Sequence, residues 1–447
     1  MPGAPISRWT MAYFAASLAF LIAGLVLTGS GFGYPAADVE APDTLVVVHL
    51  IAIGWLALLF CGALLQFVPV LAVEQPRFPK VAAPALVAII TGLLCLVAGF
   101  LALGGRLDVD PSLMAVGAVL LALGFGALIL SFAATLLAQK KGDVSGRLVL
   151  IGLVALAATI ALGAAFSFGL SGASEWPVLA ELISFGVPYH AAFGILGWMT
   201  VTAVGVSYRM FAMFMLAPEI GAGRGRVLAC AAALMLLASA LAAEYFFAPP
   251  ATAIVLAGLA LTGALTTLYL RDLVKMYKAR KRRQLELNSV VGLQSLVFLV
   301  AGVVLLGVGQ SDMLAAPLGA TGFYLVAMGW LTGLGLAQLY KIVPFLTWLE
   351  AYGAVMGRAP VPRVQDLVDE SRAKKWFYVY HAAVSGGAAS ILLELPAGFQ
   401  LMTWGQIAAV VALVAELVRA RRLSYPPAET RLPAGAVRPH LLHADPK

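Results

Sequence analysis

The sequence predicts an all-α integral membrane protein with twelve transmembrane helices in three four-helix blocks, arranged with pseudo-threefold symmetry. Three observations carry this: a composition too apolar for a water-soluble globule, a succession of runs long enough to span a bilayer, and a pattern that recurs in every fourth run. Of the 447 residues, 62% are hydrophobic and 11% are charged. That leaves too little polar surface to cover a soluble particle, so most of the chain requires lipid as its solvent.

A spanning helix needs about 20 mostly apolar residues, because hydrocarbon offers no partner to a bare backbone N–H or C=O. The runs at 11–29, 44–73, 82–104, 112–138, 147–171, 187–216, 226–247, 250–274, 289–310, 318–348, 376–396 and 399–418 meet this requirement. The first reaches the next polar loop without a small-residue cleavage site, which predicts a retained span rather than a removed leader. Residues 1–423 are therefore expected to form one twelve-helix membrane domain. Its long loop, 350–375, holds Pro360 and Pro362 and then an amphipathic "RVQDLVDESRAKK", the pattern of a short interfacial helix. The Pro-rich tail 424–447, with His440 and His443, reads as disordered.

Lysine and arginine fix the orientation, since positively charged loops stay on the cytoplasmic side. With both termini cytoplasmic, all but Arg106 of the 29 Lys and Arg fall at the inner face, as in a multi-pass protein of a bacterial-type inner membrane. The net charge of +7 is thus a topology signal. The expected surroundings are the lipid bilayer, and nothing points to nucleic acid. Cys61, Cys95 and Cys230 lie in apolar runs without CxxC spacing, so neither a disulfide framework nor a zinc site is expected.

The recurring pattern lies in the second, sixth and tenth runs. Gly54-Trp55, Gly197-Trp198 and Gly329-Trp330 are each followed at the same spacing by a small residue, Gly62, Gly205 or Ala337. Small residues in mid-span let helices approach closely, which makes these three the expected inner ring. Near their inner ends, again in register, stand Gln66, Arg209 and Lys341. Cations inside a membrane default to a functional reading, here an anion or headgroup site, with snorkelling to the interface as the alternative.

The stretch "FYLVAMGWLTGLGLAQLYKIVP", 323–344, carries a resemblance. Twelve helices in three blocks of four, with Tyr324, Met328 and Gly329 in the frame His-x-His-Tyr…Met-Gly, resemble the catalytic subunit of heme-copper oxidases and nitric oxide reductases. That family places haem ligands where this chain has Thr321 and Phe323. It places the other axial ligand of the low-spin haem near His49, and its first copper ligand near His190. The seventh run, "RVLACAAALMLLASALAAEYF", lacks the family's adjacent histidine pair. Dioxygen reduction there needs an open iron facing a copper held by about three imidazoles. The resemblance thus implies a divergent member with at most one b-type haem and no copper. His49 would be the metal ligand, with His190, Tyr324 and Met328 as further cofactor-binding candidates; Phe323 removes the family's usual histidine partner.

Each candidate also has a structural reading. His49 and His190 can bond a neighbouring carbonyl, and Tyr324 can sit in the aromatic belt. His381 falls toward the other face and is not expected at the same centre. Two functions follow from the resemblance. One is respiratory electron transfer or NO/O2 handling, with a cytochrome c-type or other respiratory subunit as partner; the other is a non-redox relative acting in small-molecule transport or respiratory-complex assembly.

Overall fold

The computed structural model describes residues 7–139, 143–245, 251–309 and 315–444. Among them every regular element is helical. Nine helices are long and apolar enough to cross a membrane among the described residues. They cover the first six expected runs and the ninth, tenth and twelfth. Helices also form at the remaining three, Ala222–Tyr245, Ala251–Lys278 and Glu370–Leu392, but these are not among the nine. The expected span ends at 246–247, 250 and 310, and tail residues 445–447, lie outside the described residues.

The chain divides into two compact units. The first comprises Met1–Asp38, Leu58–Gln66 and Glu286–Lys447, the second Val39–Ala57 and Phe67–Leu285.

In the second unit, α2 (Pro42–His49) runs into a π-helical segment, π1 (Leu50–Ala57), and on into α3 (Leu58–Ala72), whose first residues belong to the first unit. Next come α4 (Ala82–Leu103), α5 (Leu113–Leu137) and α6 (Val144–Leu170). Then α7 (Pro177–Ala191) leads through π2 (Ala192–Thr200) into α8 (Val201–Met215), followed by α9 (Ala222–Tyr245) and α10 (Ala251–Lys278). Pro42 and Pro177 start their helices where a missing N–H is harmless, and Asp143 caps α6 by accepting from the Gly146 N–H at 2.7 Å. The α4–α5 crossing rests on reciprocal glycines. A methyl group on Gly92 would lie 2.9 Å from the Gly117 carbonyl, and one on Gly117 would lie 2.7 Å from that of Gly92.

The first unit holds α1 (Thr10–Gly29), the start of α3, α11 (Leu287–Val308), α12 (Ala315–Tyr324), π3 (Leu325–Thr332), α13 (Gly333–Tyr352), α14 (Glu370–Leu392), α15 (Pro396–Arg421) and a single turn, α16 (Ala428–Arg431). Gly302 and Gly322 make the same reciprocal contact between α11 and α12, each 3.0 Å from the other's carbonyl once a methyl is added. The repeated Gly-Trp pair thus falls three times inside a π-helical segment. Trp55, Trp198 and Trp330 are all fully buried.

Both polar segments are described. After Pro362 a 3-10 turn (Val364–Leu367) ends before Asp369, whose carboxylate caps α14 by accepting from the backbone of Ser371 and Arg372 at 3.0 and 3.2 Å. The capping carboxylate divides the pattern in two. The described tail residues after 424 are laid down on the first unit. The Tyr352 hydroxyl donates to the Arg431 carbonyl at 2.8 Å, and the Val437 N–H donates to Ala351 at 3.1 Å. Val355, Leu367 and Leu423 pack with Tyr352 in an apolar cluster that Ala436 joins.

Candidate functional site

His49 is the last residue of α2, directly before π1, and His190 is the next-to-last residue of α7, one residue before π2 begins. The second unit brings them together: their ring centroids are 6.4 Å apart and their planes differ by 28°. His49 Nδ1 lies 2.7 Å from the Leu45 carbonyl on its own helix, and His190 Nδ1 lies 3.0 Å from the Thr159 carbonyl on α6. A carbonyl only accepts, so these partners assign the proton of each ring to Nδ1 and leave Nε2 as the bare nitrogen, the one available to a metal. The structural reading and the ligand reading therefore coexist: the same bond that anchors each imidazole sets the tautomer a ligand needs.

The surroundings are apolar and aromatic. The Phe100 ring lies 5.0 Å from His49, and the Phe166 ring meets His190 edge-on at 5.5 Å. Gly163 on α6 lets the backbone pass close to His190; an added methyl would sit 2.9 Å from its Cε1. Among the described residues, no group of three or more His, Cys, Asp or Glu gathers as a metal site would require.

Tyr324 and Met328 sit in the first unit. Tyr324 ends α12, immediately before π3, and its hydroxyl accepts from Gln406 Nε2 at 2.9 Å while its ring meets Phe399 edge-on. The Met328 carbonyl accepts from the Tyr380 hydroxyl at 2.7 Å, and its thioether accepts a 3.9 Å contact from Thr332. Both are thus engaged within the protein. Thr321 donates to the Pro317 carbonyl at 2.6 Å. His381 contacts Ser295 Oγ at 3.5 Å and Phe298 at 5.3 Å.

The three inner polar residues each have a partner of their own. Gln66 accepts from the Ser7 N–H at 3.2 Å, Arg209 is paired with Glu219, and Lys341 lies 2.6 Å from Glu286. An anion at either cation would have to compete with a carboxylate already in place. Lys341 borders a cavity of about 20 Å³ lined also by Asn288, Tyr340 and Glu370, room for about one water molecule.

Sequence reasoning misses the buried polar network of the second unit. Asp272 on α10 is paired with Arg224 and accepts from Tyr208 at 3.5 Å, while Ser207 and Tyr269 share a 2.7 Å bond beside it. Asp272 stands in a charged stretch, "RDLVKMYKARKRR", where its neighbours in sequence give no sign of burial, so only the packing reveals it as 3% exposed.

No family model matches the chain, and no curated protein matches it. A solved structure does: a heme-copper terminal oxidase dimer determined by cryo-EM, at a TM-score of 0.57 and 15% identity, with 98% of this chain and 85% of that chain covered. The likeness extends over nearly the whole chain, and it shows an oxidase-like membrane fold.

Proposed function

We propose that this protein is a divergent heme-copper-oxidase-like membrane protein that binds one b-type haem at His49. It serves respiratory electron transfer or NO/O2 handling rather than complete oxygen reduction. The observation that carries this reading is the His49 ring, anchored through Nδ1 on the Leu45 carbonyl at 2.7 Å with Nε2 left as the ligating nitrogen. When bound, haem would supply a one-electron iron centre. Thr321 cannot hold a second haem iron, Phe323 offers no partner ligand to the first, and α9 carries no histidine for copper. In this reading the chain crosses a bacterial-type inner membrane twelve times in three blocks, with both termini cytoplasmic. A cytochrome c-type or other respiratory subunit exchanges its electrons.

The test is a reduced-minus-oxidised spectrum with metal analysis of protein purified after expression with added haem. One b-type haem and less than stoichiometric copper are expected. A protein that remains haem-free under these conditions overturns the reading in favour of a non-redox transporter or assembly factor.

A further inference from the structure

We infer that the first unit binds one water molecule as a resident ligand, bonded to Asn288 on α11 and Tyr340 on α13 and enclosed by the turn that precedes α14. The inference is independent of the haem reading. It concerns the cavity of about 20 Å³ between the start of α11, the middle of α13 and the segment 364–370, all within the first unit. Three observations support it.

The first is a surplus of buried polar atoms. Asn288 is 2% exposed and Tyr340 is 4% exposed. Oδ1 and Nδ2 of Asn288 and the Tyr340 hydroxyl are all buried without a hydrogen-bond partner among the described residues. Buried polar groups of folded proteins bond to protein or to ordered water, and both of these side chains line the cavity. Pro344 lines it too and sits inside α13. Proline has no N–H to give to the carbonyl four residues earlier, which here is that of Tyr340.

The second is charge. The charged groups around the cavity are already engaged: the Lys341 ammonium lies 2.6 Å from the Glu286 carboxylate, and Glu370 accepts from the Leu287 N–H at 3.3 Å. The groups left over are neutral, an amide and a phenol, and each both donates and accepts. An anion here would meet two carboxylates. A metal cation would meet the Lys341 ammonium and the N–H side of the amide. A neutral molecule with donors and acceptors of its own answers every group.

The third is size. A water needs roughly 10–15 Å³ of such space and two to four polar partners. The cavity meets both requirements and has no room for an organic ligand or a lipid headgroup.

Lys341 thereby takes a role distinct from both an anion site and simple snorkelling. It neutralises Glu286 beside a hydrated junction that ties α11 and α13 to the turn before α14.

A cryo-EM map of the full-length protein in lipid nanodiscs, at a resolution that shows ordered water, is the first test. One isolated peak is expected at about 2.6–3.2 Å from both the Asn288 amide and the Tyr340 hydroxyl. A direct amide–phenol bond, or a cavity without a peak, overturns the inference. Thermal melts of Asn288→Leu, Tyr340→Phe and the double variant are the second test. Each single change deprives the water of one anchor and should lower the melting temperature. The double variant should fall no further than the less stable single, because both side chains act through one shared ligand; additive losses overturn the inference. If a variant fails to fold, the wild-type map still decides. Exchange of sodium for choline, or of chloride for gluconate, at constant ionic strength should leave the wild-type melt unmoved. A shift with either exchange that Asn288→Leu abolishes means that the cavity holds an ion, and overturns the inference.

Discussion

Arg421 and Glu350 form a buried ion pair, Nη1 to Oε2 at 2.8 Å, with 4% and 2% of their side chains exposed. The guanidinium also donates to Thr347 Oγ1 at 3.1 Å and, through Nη2, to the carbonyls of His440 and His443. One cation therefore ties the end of α15 to α13 and holds the tail down. Arg421→Ala strands a buried carboxylate, which costs about 3–5 kcal/mol. The expected outcome is a large drop in melting temperature in detergent, together with early proteolysis after residue 424. Adding Glu350→Leu should recover much of the thermal loss, because the stranded charge is gone, but should not restore protection of the tail. A double variant as unstable as the single would show that the pair is not what holds these helices.

Glycine substitutions separate close approach from open surface. A methyl on Gly329 would fall 2.5 Å from Phe298 Cβ and Cγ, and Cβ cannot rotate away. Gly329→Ala is expected to destabilise by about 1–3 kcal/mol, as overpacking does. Gly126 on α5 has nothing within 4 Å of an added methyl. There the same change should be neutral or stabilising by up to about 1 kcal/mol, through helix propensity. Thermal scans of the two variants side by side check this; equal effects would mean that π3 and α11 do not meet as described.

Acid should weaken the start of α14. The Ser371 hydroxyl, which donates to Asp369 at 2.6 Å, holds that carboxyl below its ordinary range, with the N–H groups of Arg372 and Ser371 adding to the effect. A lowered carboxylate contributes its stability above the unfolded value of about 3.9 and loses it as pH falls toward the folded value. Asp369→Ala should therefore cost about 1 kcal/mol at pH 7, and the gap between variant and wild type should close near pH 3. A gap that persists at pH 3 would rule out the ionised cap.

The sequence makes the helical architecture legible because membrane helices announce themselves by length and apolarity, residue by residue. The Gly-Trp repeat is legible for a similar reason, since small residues at fixed spacing mark close packing. What escapes are relations between distant positions. Arg421 and Glu350 are 71 residues apart, and neither says from its neighbours that the other awaits it. Asp369 looks like one more charge on an amphipathic face until its role as a cap divides that face. In the tail, Arg431 and Val437 offer backbone groups to Tyr352 and Ala351, pairings that the local sequence does not announce. His49 and His190 are each legible as candidates, while their approach depends on how α2 and α7 pack in the second unit.

The π-helical segments alter how positions along these helices are to be counted. An α-helix turns by about 100° per residue, and a π-type turn takes up an additional residue. A helical wheel drawn straight through Leu50–Ala57, Ala192–Thr200 or Leu325–Thr332 thus goes out of phase by about one residue's rotation. Cysteine or tryptophan scanning of these spans will show one α-helical period whose phase shifts across each Gly-Trp pair. Lipid-facing and interior positions must be assigned from each half independently.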